Sequence, residues 1–151
     1  MMSSFFYPKL CSAGYSGVRR WTKKVDVFAH NIILIPIHLG MHWCLATIHF
    51  RQQQFQYFDS LGGRNLSCLN RLRDYLVAEA RDKKQMEYDI SNWTNHTPKN
   101  IPNQENGSDC GVFTCMYARH IASGVPFTFS QRDMPKIREH MICEILEQKL
   151  F

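Results

Sequence analysis

The sequence predicts a single α+β domain over residues 1–151, on three observations. Short runs of β-branched and aromatic residues crowd together between Asn31 and Phe58. Segments with helical apolar spacing follow from Asn65 onward. No repeat, low-complexity tract or linker divides the chain, and its 151 residues suit one domain with a real core. With 44% hydrophobic and 13% aromatic residues, the composition excludes a disordered chain.

Residues 5–24 read as a mixed segment in which Gly14-Tyr15-Ser16-Gly17 marks a loop or helix end. Asn31 to Ile37 is a β-branched run, a buried strand with Pro36 near its end. Trp43 to Phe50 and Gln54 to Phe58 are strand formers separated by polar Arg51-Gln52-Gln53, which predicts a β-hairpin. Asp59 to Gly63 breaks the second strand. Asn65 or Ser67 caps a helix reaching about Lys84, with Leu69, Leu72, Leu76 and Ala80 on its apolar face. Met86 to Ile90 alternates with period two and reads as a strand, and Ser91 to Asn103 as a loop. A helix from Cys110 should end at Gly124. Ser130 with Asp133 resembles a capping box before a last helix carrying Ile137, Met141, Ile145 and Leu146.

The net charge of +5 favours acidic partners. Arg19-Arg20-Trp21-Thr22-Lys23-Lys24 reads as a solvated loop or helix face, or as a partner-binding or nuclear-targeting patch. A nucleic-acid-binding domain would need a clear basic face or a known motif, and neither is present, so no nucleic acid partner is expected. There is no apolar run long enough for a membrane span and no secretory signal, so no membrane association is expected. The six cysteines form no C-x-x-C pair, which fits a reduced, intracellular chain. Cys110, Cys115 and His120 do not line up on one helix face; no metal site and no cofactor are expected. Cys115 falls inside the apolar helix and is expected in the core.

The chemistry centres on Cys110, in Asn106-Gly107-Ser108-Asp109-Cys110-Gly111. A turn followed at once by an apolar helical stretch places this thiol at a helix N-terminus. There the macrodipole and free amide N–H groups favour the reactive thiolate. His42 opens one hairpin strand and Asp59 closes the next, so antiparallel pairing brings the two ends together. Asp59 would orient His42, and His42 would activate Cys110 and later protonate a leaving amine. Gln104, in the loop before the thiol, can donate to an oxyanion alongside the Cys110 backbone N–H. Trp43 would wall a narrow slot over the scissile bond. The remaining histidines lack such a setting and read as structural or surface residues.

His42-Trp43-Cys44-Leu45-Ala46, Tyr57-Phe58-Asp59-Ser60-Leu61-Gly62-Gly63 and Ile101 to Phe113 resemble the Ulp1/SENP-type cysteine proteases, which are specific for SUMO (sentrin). Phe5 to Leu10, Arg20 to Asp26 and the tail extend the likeness over nearly the whole chain. The resemblance implies a papain-like α+β fold, with a mixed sheet and flanking helices. It implies His42, Asp59 and Cys110 as a triad, Gln104 as oxyanion donor, and Trp43 as one wall of a tunnel for a Gly-Gly tail. The implied activities are processing of SUMO precursors and cleavage of SUMO–lysine bonds, and the implied partners are SUMO and SUMO-conjugated proteins. The chain looks most like the nuclear branch, which implies a monomer in the nucleus, with the cytoplasm as a second location. The family's domain normally begins earlier, with a Trp-Leu-Asn-Asp-like segment that carries a second tunnel tryptophan. Nothing here matches it. The expectation is a partial catalytic domain with its N-terminal part missing, intact chemistry and one side of the cleft open. The alternative is an impaired fragment that binds SUMO or regulates.

Overall fold

The computed structural model describes residues 1–151. Its frame is a four-stranded sheet, β1 (Ile32–His38), β2 (Trp43–His49), β3 (Gln54–Phe58) and β4 (Thr94–His96), in that spatial order. The first two pairings are antiparallel and β3–β4 is parallel, which makes the sheet mixed. The helices are α1 (Phe6–Val18), α2 (Leu66–Lys84), α3 (Cys110–Ser123) and α4 (Met134–Glu147). No helix is long and apolar enough to cross a membrane.

Strand alternation divides the core in two. Cys44, Ala46 and Ile48 of β2, with Phe55 and Tyr57 of β3, meet Phe6 and Leu10 of α1 and Leu69, Leu72 and Leu76 of α2. Leu45 and Phe58 project to the other side, against Val112, Phe113, Met116 and Tyr117 of α3. Both faces of β2 are therefore covered, and its residues from Cys44 to Ile48 are all buried. Pro36 is tolerated inside β1 because that strand lies at the sheet's edge, where one side needs no ladder donor.

The hairpin forms where its polar loop predicts it, with Gln53 in the left-handed region closing a turn onto the Phe50 carbonyl. Asn65 caps α2 by accepting from the Cys68 N–H at 2.9 Å. Gly124, with φ 67°, ends α3, and the Ser130–Asp133 capping box is present.

Three expectations are corrected. Gly14-Tyr15-Ser16-Gly17, read as a loop or helix end, lies within the helix Phe6–Val18, which is kinked at Gly14 (φ 62°, ψ −162°). Met86–Ile90 is not a strand. Its alternation comes from Tyr88 and Ile90 packing on the core, while Arg73 binds the carbonyl of Ile90 at its end and that of Trp93 just beyond. The pairing passes instead to Thr94–His96, a stretch read as loop. The last helix carries Ile137, Met141, Ile145 and Leu146 as expected; the first two pack on the second core, and Ile145 and Leu146 are 74% and 77% exposed.

Leu72 is fully buried and Ile145 is exposed. Leu72→Ala should therefore lower unfolding free energy by about 2–5 kcal/mol, and Ile145→Ala should change it by no more than about 0.5 kcal/mol. Urea denaturation of both variants checks this.

Candidate active site

The pairing Leu45↔Phe58 fixes the ends of β2 and β3. His42 immediately precedes one strand and Asp59 immediately follows the other. His42 Nε2 lies 2.7 Å from Asp59 Oδ1, with side chains 19% and 9% exposed. A carboxylate only accepts, so Nε2 carries the proton and Nδ1 is the nitrogen left free for another partner. Asp59 Oδ1 also accepts from the Leu61 N–H at 2.8 Å, and the Asp59 carbonyl accepts from the Gly62 N–H. Gly62 turns the chain there with φ +75°. The backbone thus holds the same oxygen that holds the histidine.

Cys110 is the first residue of α3 and is buried. The Trp43 indole reaches this helix start: a Cβ placed on Gly111 would lie 3.8 Å from Trp43 Cδ1. Trp43 is itself stacked on His38, with ring centroids 4.2 Å apart. The structure therefore brings the His42–Trp43 corner, Asp59 and the Cys110 turn to one end of the sheet. No hydrogen bond joins His42 to Cys110 in this arrangement. A second thiol, Cys44, is fully buried beside them. Burial pushes it up to about 12, the Tyr57 hydroxyl pulls it down, and the Asp59 charge adds to the rise.

The turn before Cys110 is held by Asp109. Its carboxylate accepts from Asn106 Nδ2 at 2.7 Å, Gln131 Nε2 at 2.8 Å and Arg138 Nε at 2.9 Å. These donors, Asn106 first, hold its pKa at about 2. Asp109 caps α3 by position but spends its side chain on α4, so the first amides of α3 stay free of a side-chain cap.

Gln104 is also buried. Its Oε1 accepts from Ser60 Oγ at 2.5 Å, and its backbone N–H donates to the Ser60 carbonyl. Pinning the oxygen turns the amide nitrogen toward the Cys110 loop, where it donates to the Asn106 carbonyl. One N–H of the two remains for a ligand.

Sequence reasoning missed several supporting residues. Ser60 was visible as the neighbour of Asp59, but its grip on Gln104 spans 44 positions and left no local signal. Asp109 likewise acts through Gln131 and Arg138, 22 and 29 positions away, and His38 through Trp43 on the neighbouring strand. Cys115 was expected in the core and is exposed, because it falls on the outer face of α3. His120, by contrast, is structural as expected: its Nδ1 is 2.9 Å from the Met116 carbonyl and its ring sits against Phe127 and Phe129.

The model of the Ulp1 protease family, C-terminal catalytic domain, matches residues 1–150. A sentrin-specific protease of Caenorhabditis elegans is 45% identical over 148 residues, covering 98% of this chain and 21% of that protein. Human sentrin-specific protease 2 is 45% identical over 152 residues, covering 99% of this chain and 26% of that protein. The chain thus spans about a fifth to a quarter of these curated relatives. The structure of the C-terminal Ulp1 protease domain in complex with Smt3, the yeast ortholog of SUMO, superposes with a TM-score of 0.83 at 32% identity, covering 97% of this chain and 66% of that one. A Ulp1 structure whose catalytic cysteine is oxidised to a sulfinic acid gives 0.86 at 30% identity, covering 97% and 68%.

Two outcomes follow from the geometry. A Cβ on Gly63 would meet Asp59 Oδ2 at 2.3 Å, and the carboxylate cannot simply retreat because its other oxygen is held by His42 and Leu61. Gly63→Ala should therefore turn Asp59 away from His42. Alkylation of Cys110 by iodoacetamide at neutral pH should slow by about 10- to 100-fold, with little loss of thermal stability. An unchanged rate would show that the carboxylate has room to move.

Asp109 has a folded-state pKa below its unfolded one. Its stabilisation is complete above the ordinary carboxylate value and is lost as pH falls toward about 2. Arg138→Met should cost about 1–2 kcal/mol at pH 7, allowing for the half-exposed guanidinium, and should flatten the fall in stability between about pH 4 and pH 2. Urea denaturation across that range measures both effects.

Proposed function

Because the chain belongs to the Ulp1 protease family, we propose that it is a cysteine protease cutting after the C-terminal Gly-Gly of SUMO, in precursors and in conjugates to lysine. The observation that carries this reading is the His42–Asp59 pair, set at the same sheet end as a thiol that opens a helix. His42 Nδ1 takes the Cys110 proton, and the thiolate attacks the carbonyl carbon of the terminal glycine. The resulting oxyanion is received by the Cys110 backbone N–H and the free N–H of Gln104. The C–N bond then breaks, and His42 returns its proton to the departing amine, which leaves a thioester. A water that gives its proton to His42 attacks the thioester and releases the glycine carboxylate, regenerating the thiol.

Trp43 supports specificity in this reading. An indole held flat by His38 and lying against Gly111 forms a fixed wall beside the nucleophile. A side chain on either substrate glycine would meet that wall. The net charge of +5 suits an acidic substrate surface, acting more on encounter rate than on affinity. A monomer located in the nucleus, with a cytoplasmic pool, completes the proposal.

Cleavage of a SUMO precursor and of a SUMO–lysine conjugate tests it. Cys110→Ala should abolish turnover, and Gln104→Ala should lower kcat by about 100- to 1,000-fold. Asp59→Asn should lower kcat by up to about 10,000-fold by losing the correct His42 tautomer. Binding of SUMO without cleavage by the unaltered chain would instead establish a SUMO-binding module, and cleavage by Cys110→Ala would remove the assigned nucleophile.

A further inference from the structure

Cys44 is a buried thiol for which the proposed reaction has no use. Continuing the register Leu45↔Phe58 by one step sets Cys44 opposite Asp59, on the same face of the ladder. Strand alternation sets His42 and Cys44 on one side of their segment as well. One ligand atom from each of His42, Cys44 and Asp59 therefore falls within 4.8 Å of the other two. We propose that these three residues form an inhibitory Zn²⁺ site, with the buried Cys44 as its distinguishing ligand. This departs from the sequence expectation of no metal, which considered only the cysteines and histidine of α3.

The donor set suits zinc. Nitrogen, thiolate sulfur and carboxylate oxygen are its usual protein ligands, and three of them leave a fourth position for water. Cys44 as thiolate and Asp59 as carboxylate together balance the two charges of the ion, in a place largely closed to solvent. Tetrahedral zinc with arms of about 2.0–2.3 Å separates its ligands by roughly 3.3–3.8 Å. The widest ligand spacing must close by about 1 Å, and the His42–Asp59 contact of 2.7 Å must open by about 0.6 Å. Binding of the ion therefore requires the Asp59 carboxylate to give up part of its hold on His42.

The proton balance explains the inhibition. Cys44 gives its proton to solvent as sulfur binds the ion. When zinc takes His42 Nε2, the imidazole proton that had pointed at Asp59 moves to Nδ1. In the proposed reaction Nδ1 is the nitrogen that must accept the Cys110 proton, so the base is blocked while Cys110 itself stays unligated. Zinc held on a catalytic cysteine and histidine alone would act differently, since it would need Cys110 and not Cys44.

The test uses the full chain with the exposed Cys11, Cys115 and Cys143 replaced by serine, so that surface thiols do not compete. ZnCl₂ affinity is measured against a competing chelator for this protein and for Cys44→Ala and Cys110→Ser made in it. The expected result is one zinc per chain, similar affinity in Cys110→Ser, and affinity in Cys44→Ala lower by at least the ~10- to 100-fold that loss of an outer-shell partner costs. Zinc should also slow iodoacetamide alkylation of Cys110, reversibly with chelator, and should fail to do so in Cys44→Ala at the same concentration. Equal affinity in Cys44→Ala, or loss of binding in Cys110→Ser, would overturn the proposal. Should Cys44→Ala fail to fold, Co²⁺ added to the Cys110→Ser protein decides, since absence of a thiolate-to-cobalt absorption band would also overturn it. Zinc affinity is read without substrate, so its failure is distinct from failure of the protease reading, which metal-free SUMO cleavage decides; only the inhibitory role rests on that reading.

Discussion

The antiparallel register of β2 and β3 is the constraint on which the site depends. A hairpin returns the chain to the level from which it left, so the residue before one strand and the residue after the other share an end. Slipping that register by one residue would turn every side chain to the opposite face. Such a slip is prevented by the two cores: Cys44, Ala46, Ile48, Phe55 and Tyr57 fill one side, and Leu45 and Phe58 fill the other. The 2.7 Å contact between His42 and Asp59 is thus set by the packing of the two strands together with the turn that holds the Asp59 carboxylate on the Leu61 N–H.

The proposed nucleophile, Cys110, is delivered by a different part of the fold. Helix α3 lies on the Leu45 face of the sheet, and its apolar residues decide where its first turn falls. The turn is then fixed from behind, by Asp109 to Arg138 of α4 and by the Tyr117 hydroxyl to the Pro102 carbonyl. Both bonds bind loop backbone or loop carboxylate to helices. This matters because the segment between β4 and α3 has no regular structure of its own and would otherwise be free to drift. Ser60, placed directly after Asp59, extends the same principle to Gln104. One turn therefore positions the carboxylate that meets His42 through one residue and the Gln104 amide through the next.

What the sequence made legible follows from the range of the forces involved. Asn65, Gly124 and the Ser130–Asp133 pair act within a few residues, and their capping roles were readable. The hairpin was readable because alternation and a polar loop are local. The strand at Thr94–His96 was not, since its three residues are all exposed and owe their conformation to the neighbouring edge of β3. Met86–Ile90 misled for the complementary reason. Two side chains packing on a core imitate period two without any ladder, and Arg73 of α2 binds the carbonyl of Ile90 at its end and that of Trp93 just beyond. At the candidate site, residue type and order pointed to His42, Asp59, Gln104 and Cys110, which the fold gathers at one end of the sheet. Ser60 and Asp109 were not readable, because they act through partners that only the folded chain brings near, and His38 and Gly63 were not, because a ring stack on Trp43 and a close approach to Asp59 follow no capping or alternation pattern.

The grouping of His42, Cys44 and Asp59 shows what a register-built site brings with it. The alternation that places His42 beside Asp59 also places whatever stands two residues further along β2 next to that same carboxylate. A large apolar residue there would crowd the base, and a second acid would repel Asp59. A cysteine is small and neutral at ordinary pH, its thiol held protonated chiefly by burial. It therefore fits a position where bulk and charge are both excluded. The property that makes it tolerable to protons, a buried sulfur with no strong hydrogen-bond demand, is also what leaves it available to a soft metal ion. Sensitivity to zinc is in this sense a consequence of how the orienting pair is assembled, and it needs no residue beyond those that the hairpin already supplies.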